Sequence, residues 1–168
     1  MAKDNRGLSL VEIIIVISIL SILSVAGVIG VGMISGKPAE QCAENIKVSL
    51  LNNRTTALGK FKTDITIEDN GNGIELTEKI YSSDGSSESS KKTKVGESTV
   101  SVAYSYTDPS SGYTEINSST PLTISFDRAT GAVILPPGGT DLYIRCSKSD
   151  KTYVLQVYHL TGKVVLMD

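Results

Sequence analysis

Few side chains in this sequence could do chemistry. Glu12 is the one charged residue in a run of 29 residues, Leu8–Gly36, of which 19 are hydrophobic. Cys42 and Cys146 are the two cysteines and His159 the one histidine. Asp127 and Asp141 stand beside turn residues in a region of alternating polarity. A carboxylate in an apolar run costs on the order of 2–3 kcal/mol if it meets lipid alone, so Glu12 is a functional candidate. A lone histidine followed by Leu160 reads as a packed or edge residue rather than a ligand. Asp127 and Asp141 read as turn residues rather than an acid and base pair. No nucleophile with a base, no phosphate-cradling glycine loop and no metal-ligand spacing occurs, so the sequence points away from an enzyme and implies no cofactor and no metal.

These residues must be carried by elements of two physical kinds. The chain has 168 residues and a net charge of −2, from 16 Lys+Arg against 18 Asp+Glu. That balance excludes a protein that grips nucleic acid by neutralising phosphates. Two cysteines are too few for a disulfide-stapled miniprotein or a four-thiolate metal site. The averages conceal a division: 30 of the 34 charges lie beyond Gly36.

The run Leu8–Gly36 is long enough to cross a bilayer, for which about 20 apolar residues suffice, and too long for a secretory signal of roughly 7–15. It has no polar face over Ile13–Leu23. Ser18 and Ser21 interrupt it, but their hydroxyls can bond back to helix carbonyls. Lys3 and Arg6 precede the run, so the positive-inside rule keeps the N-terminus cytoplasmic and exports the rest. Pro38 could kink the chain near the membrane exit. Beyond it, Ala43, Ile46, Leu50, Ala57 and Phe61 recur at helical spacing, with Leu51 and Leu58 alongside. Glu40, Glu44, Lys47, Asn52, Arg54 and Lys60 line the opposite face. Joined to the apolar run, this amphipathic stretch would make one helix of about 50 residues, roughly 75–80 Å long.

After Phe61 the period becomes two. Candidate strands are Ile65–Glu68, Ile74–Tyr81, Thr99–Tyr106, Leu122–Asp127, Ala132–Leu135, Leu142–Ser147, Tyr153–Leu160 and Lys163–Met167. Turn residues separate them at Asp69-Asn70-Gly71-Asn72-Gly73, Asp108-Pro109, Pro136-Pro137-Gly138-Gly139 and Thr161-Gly162. The Ser-rich and Lys-rich stretch Tyr81–Thr99 is expected to be an exposed loop. It could serve as a contact or glycosylation surface, but Lys91, Lys92 and Lys94 are too few, and Glu88 and Glu97 too near, for DNA binding. The expected fold is α+β: a long N-terminal helix, membrane-spanning in its first half and amphipathic in its second, packed on an antiparallel β-sheet. The expected divisions are a leader over 1–7, a transmembrane segment over 8–36, the amphipathic half over 37–62 and the sheet domain over 63–168. Cys42 and Cys146 would then lie on helix and late strand. A bridge closing a loop of about 100 residues would stabilise by roughly 4–5 kcal/mol in the chain-entropy model. Two buried free thiols fit the sequence equally well.

The residues Arg6-Gly7-Leu8-Ser9-Leu10-Val11-Glu12 resemble the processing site of type IV prepilins and pseudopilins. The resemblance implies cleavage between Gly7 and Leu8 by a prepilin peptidase, methylation of the new amine at Leu8, and a role for Glu12 in subunit assembly. Glu12 would pair with that amine on an adjacent subunit, which makes a buried carboxylate tolerable. Leu8 replaces the commoner Phe, and the mid-helix Pro frequent in the family is absent. Gly27, Gly30, Gly32 and Gly36 could loosen the helix in its place, or simply permit close packing. The stretch Leu122–Met167 is also similar to the H-type pseudopilins and minor pilins, through Ile124-Ser125-Phe126-Asp127, Gly131, Tyr153–Val157 and Leu160-Thr161-Gly162-Lys163-Val164.

The function this implies is a structural filament subunit, pilus-like or of a type II secretion kind. Its partners would be other pilin subunits, the peptidase, the membrane, and an assembly platform with its ATPase. It would sit first in the cytoplasmic membrane and then on the cell surface. A monomeric membrane-anchored binding or adhesin domain is the alternative.

Overall fold

The computed structural model describes residues 10–21, 36–59, 61–82, 87–110 and 112–167. The chain divides into two compact units, Met1–Ser35 and Gly36–Asp168.

In the first unit residues 10–21 form a helix, α1. No Gly or Pro breaks the run. The two serines do what the sequence suggested. Ser18 Oγ donates to the Ile14 carbonyl and Ser21 Oγ to the Ile17 carbonyl, each at 2.8 Å. Among the described residues no helix is long and apolar enough to cross a membrane. The rest of the expected span, with Gly27, Gly30 and Gly32, and its continuity with the next helix, lies outside the described residues.

The second unit is built on α2, Lys37–Leu58. Pro38 lies in its first turn, where a missing N–H breaks no intrahelical bond. The face carrying Ala39, Cys42, Ala43, Ile46, Leu50, Asn53 and Ala57 is buried. The small residues at its N-terminal end let strands approach closely. Gly36 serves the same end: a Cβ there would meet Lys151 Cγ at 2.8 Å. The helix ends before Phe61, which is half exposed and not part of the buried face. It closes at Gly59, whose N–H donates to the Thr55 and Thr56 carbonyls.

The single expected sheet is in fact two. The first has the order β3-β2-β1-β6, the second β5-β4-β7-β8-β9. Their strands are β1 (Lys62–Asp69), β2 (Gly73–Tyr81), β3 (Ser87–Glu97), β4 (Ser101–Ser105), β5 (Thr114–Glu115), β6 (Leu122–Ser125), β7 (Asp141–Lys148), β8 (Lys151–Tyr158) and β9 (Val164–Met167). Every pairing between these strands is antiparallel; β1-β2, β2-β3, β7-β8 and β8-β9 are hairpins with short connections, while β1-β6 and β4-β7 join distant segments. The α+β class and the helix-on-sheet packing hold. The inward residues alternate: Ile65 and Ile67 on β1, Leu122 and Ile124 on β6, Leu142 and Ile144 on β7, Leu155 and Val157 on β8 are all buried. α2 packs against strands of both sheets, including β1, β3, β7 and β8.

Two expectations are overturned. Ser87–Glu97 is not a loop but the edge strand β3. Its register sets Lys94 opposite Glu75 and Lys91 opposite Glu78, and Lys92 reaches the carboxylates of Glu75 and Glu68 across the sheet at 2.6 and 2.8 Å. Lysines also suit an edge, because they discourage pairing with another chain. Conversely, Ala132–Leu135 is not a strand. It makes an isolated bridge, Phe126 to Val133. The Val133 N–H is spent on the His159 carbonyl at 3.0 Å and the Ile134 N–H on the Ser125 carbonyl at 2.9 Å. The segment therefore stitches the end of β6 to the turn after β8, rather than extending a sheet.

Candidate functional site

Glu12 lies in the first turn of the described part of α1 and is exposed. It borders a shallow notch of about 110 Å³ with Ile13, Val16 and Ile17, its neighbours at one and four to five positions on. Gly7 and Leu8 lie outside the described residues. The apolar side chains of α1 are exposed all round the helix, from 46% at Ile13 to 76% at Leu10. A helix with no polar face needs an apolar surrounding.

α2 has a second apolar feature. Val48 and Leu51, outside the buried face, remain exposed, and Leu58 is half-exposed beside Gly131. Glu44 and Lys47 pair beside them at 3.0 Å.

Cys42 and Cys146 are brought together. Both are free and fully buried. The Cys146 thiol is raised well above its ordinary pKa, first by its hydrogen bond with Cys42 and then by burial. The pair spans α2 and β7. Gly96 on β3 leaves room for it, since a Cβ there would meet Cys42 Sγ at 2.7 Å.

The other polar candidates are structural. Asp127 Oδ1 accepts from Ala129 N, Thr130 N and Thr130 Oγ1 at 2.8–3.0 Å, which lowers its pKa and closes a turn. Asp141 accepts from His159 N at 2.7 Å and Gln156 Nε2 at 2.9 Å. His159 sits in the turn after β8 rather than in a strand, and its backbone, held at both ends, is what the fold uses. Lys92 is engaged by Glu68 at 2.8 Å and Glu75 at 2.6 Å, and Lys94 Nζ donates to the Asn72 carbonyl at 2.7 Å. Among the described residues no group of three or more His, Cys, Asp or Glu could hold a metal. Sequence reasoning missed Asn53, a polar residue on the buried face, whose Oδ1 accepts from Thr63 Oγ1 at 2.8 Å. The signal was available: Asn53 falls three residues after Leu50 and four before Ala57.

Residues 2–28 match the family model of the prokaryotic N-terminal methylation motif. No curated protein sequence matches the chain. Among solved structures, the fold is similar to that of the type IV minor pilin FimU of Pseudomonas aeruginosa. The TM-score is 0.51 and the identity 18%, over 77% of this chain and 87% of that one. The motif accounts for the N-terminal segment, and the structural likeness accounts for a helix laid on antiparallel sheets. The chain thus carries a prokaryotic N-terminal methylation motif and has a fold similar to that of a type IV minor pilin.

Proposed function

We propose that the chain is a structural subunit, of the pilin or minor-pilin and pseudopilin kind, of a type IV pilus-like or type II secretion-like filament. It is made with a short basic leader and inserted into the cytoplasmic membrane with its N-terminus inside. A prepilin peptidase cuts after Gly7 and the Leu8 amine is methylated. An assembly platform and its ATPase then draw the subunit from the membrane into a filament at the cell surface. Residues Leu8–Ile34 form the apolar core of that filament, and the two sheets its exterior. Glu12 pairs with the Leu8 amine of an adjacent subunit and sets the axial register.

The observation that carries this reading is the exposure of Leu10, Val11, Ile13, Ile14, Ile15, Val16, Ile17, Ile19 and Leu20 along one short helix. Leaving such a set half exposed to water forgoes roughly 10 kcal/mol of burial. First lipid and then neighbouring subunits supply that burial. The uncovered apolar stripe on α2 extends the same demand for packing into the second unit.

Mass spectrometry of the N-terminus of the exported protein tests the reading. A terminus at Leu8 carrying one added methyl group is the expected result. A mature protein that retains Met1 overturns it.

A further inference from the structure

Cys42 and Cys146 lie in the core where α2 packs against β7, both fully buried. Four neighbouring features converge on this spot. Cys146 is opposite Val102 on β4 and Tyr153 on β8, so it stands in the middle of its sheet with pairing on both sides. Cys42 lies between the small residues Ala39 and Ala43 on the buried face of α2. Gly96 on the other sheet has no side chain to push Cys42 away. Asn45, one turn on, holds the helix to β3 by donating from Nδ2 to the Val95 carbonyl at 3.1 Å. Backbone positions are therefore held on both sides of the two cysteines, by the β4 and β8 pairings around Cys146 and by the Asn45 contact beside Cys42.

We infer that Cys42 and Cys146 are a site of covalent modification, an intramolecular disulfide that locks α2 onto the β4-β7-β8 sheet. The inference rests on the proposed export only for the compartment in which oxidation occurs; the burial of both cysteines where α2 packs against β7 stands without it. The oxidant is a disulfide-bearing compound or protein. The thiolate of one cysteine attacks a sulfur of that disulfide, forming a mixed disulfide and releasing one thiol. The thiolate of the second cysteine attacks the first cysteine's sulfur and releases the other thiol. Two electrons and two protons pass from the cysteines to the oxidant, which leaves as two thiols. Burial suppresses the thiolate and shuts out the oxidant, so the bridge forms as the helix docks or when it briefly lifts. The loop it closes is about 100 residues long, which makes the constraint on the unfolded chain large.

The test uses the full chain in detergent. The reduced protein is equilibrated with glutathione disulfide as the probe, at a denaturant concentration below the unfolding transition. It is then quenched in acid, unfolded and treated with an alkylating reagent. The expected product carries no alkyl group and loses two hydrogens in mass. Its tryptic digest contains one peptide joining Cys42 to Cys146. Its midpoint of thermal unfolding rises by on the order of 10 °C over the reduced protein. Oxidation accelerates as denaturant is raised towards the transition. The single variants Cys42→Ser and Cys146→Ser, and the fully apolar Cys42→Ala/Cys146→Ala, show no rise under the same treatment. Recovery of two alkylated thiols after full equilibration overturns the inference. So does a product in which each cysteine carries glutathione, or one linked between two chains. None of these outcomes bears on whether the N-terminus is processed at Gly7.

Discussion

Arg54 on α2 and Thr161, 107 residues later, are joined by a hydrogen bond of 2.9 Å from the guanidinium Nε to the peptide carbonyl. The same Nε lies 3.3 Å from the Gly131 carbonyl. One side chain thus gathers the loop after β6 and the turn between β8 and β9 against the last turns of the helix. The approach is close enough that neither loop admits a side chain. A Cβ on Gly162, whose φ is +62°, would collide with the Gly131 carbonyl oxygen, and one on Gly131, at +70°, would press on Leu58 and Arg54.

Gly162→Ala is therefore expected to destabilise the protein by about 2–4 kcal/mol, combining backbone strain with overpacking. Arg54→Ala should cost less, about 1–3 kcal/mol, the usual range for a hydrogen bond to a charged group. Urea unfolding measures both, and Gly162→Ala should show the larger loss.

Asn53 and Thr63 form a buried polar pair between α2 and β1. Thr63→Val keeps the volume and removes the hydroxyl, leaving Asn53 Oδ1 without that donor. The expected loss is about 1–3 kcal/mol. Asn53→Leu combined with Thr63→Val should lose less than the sum of the two single changes. A double-mutant cycle on unfolding free energies reads the difference.

Acid should weaken the β1-β2-β3 sheet. Lys92, paired with Glu68 and Glu75, holds the Glu75 carboxyl below its ordinary value of 4.5. A carboxyl depressed in the folded state contributes stability that is fully present above its unfolded pKa and lost as pH falls through the folded one. Asp127 acts in the same direction, its pKa lowered by the Thr130 hydroxyl and the turn N–H groups. Unfolding midpoints measured between about pH 2.5 and pH 6 should fall on the acid side, and Lys92→Met should flatten that fall. A slope unchanged in Lys92→Met would show that the pair does not couple to folding.

Glu12→Ala should leave membrane insertion and the fold of the second unit intact while filament yield drops by roughly tenfold or more, the consequence of losing a charge pair inside an apolar assembly. Val48→Gln with Leu51→Gln should keep unfolding within about 0.5 kcal/mol of the parent, as exposed substitutions do, and also reduce assembly. Fractionation and electron microscopy of sheared filaments read both. A monomeric anchor would tolerate all three changes.

Sequence by itself determined what is local. The apolar run, the Gly7–Glu12 spacing, the helical period on α2, the two-residue period after Phe61 and the glycine turns are patterns within a few residues of one another. Each reflects the geometry of a single element. The turns held where φ had to be positive, at Gly71, Gly138 and Gly162. Tertiary structure decided what depends on distant pairing. Ser87–Glu97 has a loop's composition and becomes a strand because its backbone pairs with β2 and Lys92 reaches Glu75 and Glu68 across the sheet. Ala132–Leu135 has a strand's composition and becomes a stitch because its N–H groups are claimed by residues near β6 and after β8. Partition into two sheets, the Arg54 contacts and the meeting of Cys42 with Cys146 follow from where α2 crosses the strands. Backbone hydrogen bonds must be satisfied globally, and no window along the chain records which distant segment will satisfy them.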